Sequence, residues 1–377
     1  MRPGSPGSAC AVRSGSGERF DMTEDRPAIA QAMRYRHQLA PLPPDAPRPR
    51  WSVMIPTYNC AHYLRETLAS VLAQDPGPEL MQIEVVDDAS TRDDPEAVVA
   101  ELGKDRVLFH RRPVNGGHRA NFQTCLERSR GHLVHLLHGD DVVLPGFYDK
   151  LGKGFDTCPD IGAAFCRQAY INEQGAQIWL SDLERKESGP LEDWLPRIAL
   201  RQLIQTPSIV VRREVYERLG LFDQRLSWVE DWEMWVRIAA QYRFWYESDT
   251  LALYRMHGSS STSTHMRTGE NLRDVRRAVE IIQHHLPPAM APGLRRRSLE
   301  FWASDAFIHR IPNLVGQGDL KAAWSQSREA LLCSRSPLVL GKAIRIVPRI
   351  LRLVARRALR LSPKPVRDDD GAAPPTS

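Results

Sequence analysis

The sequence predicts an α/β fold: a mostly parallel sheet flanked by helices, with a helical C-terminal extension. Three observations predict it. Short apolar runs alternate with helix-period segments from Trp51 to His138. Polar and acidic residues collect directly after those runs. From residue 270 to 335 the pattern is mostly helical. The chain of 377 residues suits one large domain with extensions, or two domains.

Residues 1–48 are rich in Gly, Ser, Pro and Arg and end in PLPPDAPRPR, so a flexible lead-in is expected there and order from Trp51. WSVMIP reads as the first strand, stopped by Pro56. In TYNCAHYLRETLASVLAQ, Leu64, Leu68, Val71 and Leu72 recur at helical spacing. IEVVDD is a second strand, and STRDDPEAVVAEL a second helix with Pro95 at a tolerated early position. RVLFH is a third strand. RANFQTCLERS is a third helix, its stripe formed by Phe122, Cys125, Leu126 and Ser129. HLVHLLH is a fourth strand. Beyond residue 150 the rhythm weakens; IGAAFC and RFWYES read as strands and EDWEMWVRIAAQ as an amphipathic helix.

Strands alternating with helices argue for a parallel sheet, and ligands of such sheets bind beyond the carboxyl ends of the strands. Those ends carry Thr57, Tyr58 and Asn59, then Asp87 and Asp88, then Asn115 to Asn121, then Asp140 and Asp141. Adjacent carboxylates repel and are costly to desolvate without a cation. A pair such as Asp140–Asp141 is suited to a divalent cation that in turn holds a diphosphate. A turn is the plainer explanation of GDD. Asp231 begins a helix, where it is expected as an N-cap, and a carboxylate held there is also suited to be a general base. The cap gives no reason for Glu230 beside it.

Hydrophobic content of 42% and charged content of 26% are those of an ordinary soluble protein, and a net charge of +5 is too small to indicate nucleic-acid binding. The six cysteines are scattered without a CxxC pair, which argues against a zinc cage and for reduced thiols. The N-terminal stretch lacks a signal-peptide core, and no run approaches the about 18 apolar residues of a membrane span. A cytoplasmic protein is expected.

Four segments together carry a family resemblance: VMIPTYN, IEVVDDAS, NGGHRANF…RSRGHLVHLLHGDD and SWVEDWEMWVRIA. In this order they resemble family 2 glycosyltransferases with the GT-A fold, a Rossmann-like sheet, over roughly residues 50 to 260. The resemblance implies a nucleotide-sugar donor, a saccharide or lipid-linked acceptor, a divalent metal (Mg or Mn) and inversion at the anomeric carbon. It implies that Thr57, Tyr58 and Asn59 line the nucleotide pocket, that Asp88 bonds the base and that Asp87 supports it. Arg119 and Asn121 flank the nucleotide. Asp140 and Asp141 correspond to the metal motif, with Asp141 as the direct ligand. Asp231 matches the catalytic base, with Glu230 beside it. Arg255 and His257 match a segment closing over the diphosphate, His257 also as a metal ligand. Gly139 replaces the first acid of a strict Asp-x-Asp, which leaves metal dependence open. Bacterial cell-surface polysaccharide or other glycan synthesis is the implied setting. The implied division is a catalytic domain over 49–262, a helical region over 263–338, a basic amphipathic helix over 339–363 and a disordered tail over 364–377.

In that last helix Arg345, Arg349, Arg352, Arg356 and Arg360 fall on one side, and Val347, Leu351, Val354, Ala358 and Leu361 on the other. The pattern suits an anionic membrane surface and, equally, a helix docked by its apolar stripe. Trp179, Trp194 and Trp228 are candidates for stacking on sugar rings or for packing. Two other functions fit the sequence less well. A nucleic-acid-binding protein finds support only in LRRRS and the arginine-rich tail, and its acidic rim would repel phosphate. A dinucleotide oxidoreductase would need a GxGxxG turn where IPTYNC stands.

Overall fold

The computed structural model describes residues 34–258 and 261–361. In chain order the elements are β1 (Trp51–Thr57), α1 (Ala61–Leu72), β2 (Met81–Asp87), α2 (Pro95–Leu102), β3 (Leu108–Arg111), α3 (His118–Arg128), β4 (Leu133–Leu136), β5 (Val142–Val143), α4 (Phe147–Thr157), β6 (Ile161–Ile171), β7 (Gln177–Leu180), β8 (Gly189–Pro190), α5 (Trp194–Ile198), β9 (Ile209–Arg212), α6 (Arg213–Leu219), α7 (Glu230–Ala239) and β10 (Arg243–Arg255). The C-terminal helices are α8 (Ser261–Thr268), α9 (Glu270–Ile282), α10 (Ala291–Asp305), α11 (Ile311–Gln317), α12 (Leu320–Cys333) and α13 (Pro337–Leu361).

The described strands form one mixed sheet, β3-β2-β1-β4-β9-β6-β10-β5, with β7 on β6 and β8 on β10. β1 pairs in parallel with β2 and β4, β2 with β3, and β6 with β10. β9 runs antiparallel between β4 and β6. Strand β1 is buried throughout because both its faces are covered. Val53 and Ile55 join a core with Leu64, Leu68 and Val71 of α1 and Leu151 of α4. Met54 joins the opposite core with Phe122 and Cys125 of α3, Trp232 and Trp235 of α7, and Trp302 of α10.

Helix α2 starts as its sequence requires. Asp94 accepts hydrogen bonds from the N–H groups of Glu96 and Ala97, and Pro95 occupies the first turn, where its missing N–H costs nothing. The parallel register from Trp51↔Met81 to Thr57↔Asp87 brings the ends of β1 and β2 level, and Asp87 pairs with Arg111 at the end of β3. Past β4 the chain stays beside β1: Leu137 N–H donates to Met54 O (3.0 Å) and Gly139 N–H to Pro56 O (3.0 Å). The acidic loops therefore meet along one edge.

The structure departs from the sequence reading in several places. The lead-in expected to be flexible up to residue 48 is docked earlier: Leu39 is buried, and Leu221 N–H donates to His37 O (2.9 Å) and Gln224 N–H to Tyr35 O (2.9 Å). Residues 1–33 lie outside the described set. Strand β9 was not anticipated, because the run IVV between polar residues is too short to show a period. β6 continues to Ile171 and β10 to Arg255. Helices beyond residue 262 share the core of the sheet face, with Leu272, Val275 and Trp302 packed in the same cluster as Trp232. The division at 262 follows a change of pattern along the chain, while the packing is continuous.

Candidate active site

The end of β2 is a closed network. Asp87 is buried and accepts bonds from the N–H and hydroxyl of Ser90 and from Arg111 Nε (2.8 Å). Asp88 is ion-paired with Arg112 and accepts the N–H groups of Gly116 (3.0 Å) and Gly117 (2.8 Å). Gly117 has φ +80, the left-handed region glycine tolerates best, and from there it opens α3. Asn59, with φ +51, staples the neighbouring loop: its Oδ1 accepts the N–H groups of Thr91 (2.9 Å) and Arg92 (2.9 Å). Asn121 Nδ2 donates to Val86 O (2.9 Å) at the root of the network, while its Oδ1 is buried without a partner. Thr57 is buried, its hydroxyl 2.9 Å from Cys60 Sγ, and Tyr58 stands exposed at the rim. Asp87, Asp88 and Asn59 thus shape the loops that border the cleft.

The end of β4 is different. Asp141 Oδ1 accepts the N–H of Arg255 (2.8 Å), but Asp141 Oδ2 is buried without a hydrogen-bond partner. His138 Nδ1 lies 3.4 Å from that oxygen, and His138 Nε2 is also an orphan. Ligand atoms of His138, Asp140 and Asp141 all lie within 4.8 Å of one another. Burial first, and the Asp140 charge second, push the Asp141 carboxyl up to about 6. Burial would raise Asp140 as well, but the His257 hydrogen bond and the His138 charge bring it below its ordinary value. Two orphaned buried atoms that can each offer a lone pair, a carboxylate oxygen and the nitrogen of a neutral imidazole, beside a partly exposed carboxylate fit a divalent cation.

His138 was missed by sequence reasoning, although it stands two residues before Asp140 in the quoted motif. Gly139 explains the unusual motif. A Cβ there would meet Thr57 Cβ and Oγ1 at 3.1 Å and Pro56 O at 3.2 Å, so an acid has little room. The imidazole one residue earlier stands beside the two acids instead. Asp141, expected as the direct ligand, is the enclosed member; the Asp140 and His138 side chains are 26% and 24% exposed and form the open side.

His257 and Arg255 hold this loop from behind. His257 Nε2 lies 2.9 Å from Asp140 Oδ2, which places it one step away from the potential ligands. Arg255 is 3% exposed. Its Nε donates to Asp140 O (2.8 Å), its Nη2 pairs with Glu66, its Nη1 reaches Asn172 O (3.3 Å), and its guanidinium lies over the Tyr63 ring. The guanidinium, implied by the resemblance to close over a diphosphate, here ties β10 to α1 and the 140–141 loop.

Asp231 lies within reach of the His138 charge. Val229 is the N-cap of α7, so Asp231 is a first-turn residue and the expected cap is corrected. The loop before α7 is held instead by buried Asp274 of α9, whose Oδ2 accepts the N–H groups of Ser227 (2.9 Å), Trp228 (2.7 Å) and Val229 (3.2 Å). Asp231 Oδ1 accepts its neighbour Trp232 N–H (2.7 Å), and Oδ2 accepts Gln202 Nε2 (2.7 Å) and the Thr206 hydroxyl (3.4 Å). Burial first, then the Glu230 charge, push Asp231 up to about 7; the His138 charge pulls the other way, so the two groups share one field.

Glu230 Oε1 lies 2.8 Å from His118 Nε2. Burial works to raise Glu230, but the His118 contact outweighs it and the group falls below its ordinary value. The Phe122 ring continues the line, stacked on His138 at 5.0 Å. Arg119 donates to the carbonyls of Gln224 and Leu226, so it too fastens the segment before α7. Farther down that helix, Glu233 pairs with Arg36 (3.0 Å), Arg237 (3.0 Å) and His285 (3.1 Å).

The mostly parallel sheet with helices on both faces is a GT-A fold, and its acid-bearing loop follows β4. Residues 52–220 match the family model of glycosyl transferase family 2. An uncharacterized protein of Mycobacterium tuberculosis is 27% identical over 284 residues, covering 72% of this chain and 86% of its own. An uncharacterized glycosyltransferase of Rickettsia prowazekii is 24% identical over 60% of this chain and 70% of its own. Among solved structures, S. aureus TarS 1–349 in complex with UDP-GlcNAc has a TM-score of 0.56 at 16% identity, covering 82% of this chain and 92% of that one. A mannosyltransferase from Pyrobaculum calidifontis in complex with GDP-Man and Mn2+ has a TM-score of 0.51 at 18% identity, covering 88% and 92%. These structures are alike in fold.

Proposed function

We propose that the chain transfers a sugar, a hexose or a relative, from a nucleoside diphosphate donor to an acceptor hydroxyl with inversion. The observation that carries this reading is the buried Asp231 carboxyl, pushed up to about 7 by burial and the Glu230 charge and near enough to His138 of the acidic loop for the two charges to act on each other. A base with a pKa near the working pH is suited to take a proton from an alcohol. In the step, the acceptor oxygen forms a bond to the anomeric carbon, the bond from that carbon to the diphosphate breaks, and the hydroxyl proton passes to Asp231. Gln202 and Thr206 fix the orientation of Asp231 for that transfer.

His138, Asp140 and Asp141 are the residues that would hold a divalent ion, manganese or magnesium. Such an ion supplies charge stabilisation to the departing diphosphate. His257 orients Asp140 through its Nε2 contact, and Arg255 fixes Asp141 through its backbone N–H. Asp88 keeps the 115–117 loop against the nucleotide side, with Thr57, Tyr58, Asn59, Asp87 and Asn121 around it.

A role in cell-surface polysaccharide or glycan synthesis, at the inner face of a membrane, is part of the proposal. Among the described residues no helix is long and apolar enough to cross a membrane. On α13, Leu338, Leu340, Ile344 and Leu351 are exposed, and residues 337–361 contain no acid. Apolar and basic groups together suit a surface of anionic lipid. The side chains of Arg349, Arg356 and Arg360 lie outside the described residues.

The test is a panel of nucleotide-sugars assayed for release of nucleoside diphosphate, with and without manganese. Release from one donor, lost on chelation, supports the proposal. No release from any donor by folded protein overturns it.

A further inference from the structure

Tryptophan is seldom left in water, and of the nine in this chain only Trp179 and Trp324 are exposed. Trp194 is buried, and Trp228 packs on Trp302 and beneath Arg310, which settles both as packing residues. Trp324 stands exposed on α12, a helix that packs on other C-terminal helices. Trp179 is 53% exposed and differently placed.

It lies on β7 directly opposite Tyr170 of β6, with ring centroids 4.6 Å apart, and Tyr170 lies beside Tyr254 of β10 at 5.5 Å. Cross-strand partners share a face, so three rings form a row on one side of the sheet. That side is the side of Asp231. The Tyr170 hydroxyl accepts from Gln205 Nε2 (3.1 Å), and the neighbouring Gln202 and Thr206 hold the Asp231 carboxylate. Burial raises the Tyr170 phenol, and the Asp231 charge adds to the effect.

The row is also fixed in place. The β6–β7 turn is locked by Asn172, whose Oδ1 accepts the N–H groups of Gln174 (3.0 Å) and Ala176 (2.9 Å). The carbonyls of Asn172 and Glu173 accept Arg255 Nη1. Arg255 is the residue that also holds the 140–141 loop, so one guanidinium sets the platform against the donor side.

We propose that Trp179, backed by Tyr170, is the platform on which a pyranose ring of a saccharide acceptor stacks, with its hydroxyl directed toward Asp231. The inference rests on the glycosyl-transfer reading and names its acceptor as a saccharide. A sugar ring has an apolar C–H face and polar edges, and an exposed indole beside amide and hydroxyl groups matches both. A lipid alcohol without a sugar would have no use for such a ring.

The full chain labelled with 5-fluorotryptophan tests the idea by fluorine NMR, with the Trp179 signal assigned through Trp179→Phe. The probes are the methyl glycosides of glucose, galactose, mannose and N-acetylglucosamine, with sorbitol as an acyclic control. A saturable shift of the Trp179 signal by at least one glycoside, with Trp324 and sorbitol silent, is expected. Trp179→Ala should weaken saturation transfer to that glycoside at least tenfold while the variant keeps its melting curve. No shift with any glycoside, or saturation transfer undiminished in Trp179→Ala, overturns the platform. Nucleotide-sugar hydrolysis is read separately, so a chain that hydrolyses a donor but ignores glycosides loses only this inference.

Discussion

Two aspartate doublets, Asp87–Asp88 and Asp140–Asp141, look alike in sequence, each following an apolar strand. The first pair is saturated by the protein: Ser90, Arg111, Arg112 and two glycine N–H groups supply its donors. The second pair leaves Asp141 Oδ2 and its neighbour His138 Nε2 without partners. A carboxylate whose donors are internal builds the loop it sits in. One left unsatisfied in a buried place costs stability, and such groups mark sites completed by a ligand. Asp231 stands between the two: both its oxygens accept hydrogen bonds, but the donors are neutral, and burial with the Glu230 charge pushes its carboxyl up to about 7.

The sharpest way to break that contrast is Asp231→Asn. Turnover is expected to fall by about 10²–10⁴-fold, the usual contribution of a positioned base. The amide keeps the shape and relieves a buried charge, so the melting temperature should hold or rise and donor binding should persist. Only the deprotonated form accepts a proton. With the carboxyl at about 7, the rate of the wild-type enzyme should therefore drop about tenfold per pH unit below that value. A pH profile flat from 5 to 8, or near-normal turnover of the variant, would remove Asp231 from the reaction.

Next in size is Asp141→Asn. Asparagine can still accept the Arg255 N–H, but it removes the negative charge beside His138. Manganese should raise the melting temperature of the wild-type chain by mass action, and this rise should be lost, with affinity down at least about tenfold. Without metal the variant should melt no lower than the wild type. A lower melting point would move Asp141 into the structural class with Asp87.

These contrasts show what was legible from residues alone. The strand runs of β1, β2 and β4 are short and buried throughout, so their pattern is local and readable; β3 is the exposed edge strand. The two doublets were visible for the same reason, but their difference was not. It depends on Arg111, Arg112 and Gly116 in one case and on the close approach of Gly139 to Thr57 in the other. His138 carried a local signal, an imidazole within reach of two acids at a strand end, that the search for Asp-x-Asp passed over. Asp274, Gln202 and Arg36 carried none, since each reaches its partner across a long stretch of chain. Arg255 and His257 lie beside the acids, and the direction of their side chains depends on the course of β10, which no local pattern carries.

Asp87→Asn takes the comparison to the other doublet. It should leave manganese binding intact and destabilise the fold by about 2 kcal/mol, the range for losing charge-assisted bonds at a buried carboxylate. Urea denaturation measures it. Loss of manganese binding with unchanged stability would mean that the first doublet, not the second, holds the ion.

The smallest expected effect concerns the loop that the first doublet supports. Asn59 adopts φ +51 and caps two N–H groups, at Thr91 and Arg92. Asn59→Gly tolerates the backbone conformation but loses both bonds; Asn59→Ala loses the bonds and adds strain of about 1 kcal/mol. The alanine variant should therefore be the less stable of the two by about that amount, and both should show weaker nucleotide binding with turnover at saturation little changed. If the two variants were equally stable, backbone strain would play no part in holding this loop. If saturated turnover fell as steeply as in Asp231→Asn, the division between loops that shape the cleft and carboxylates that react would have to be redrawn at Asn59.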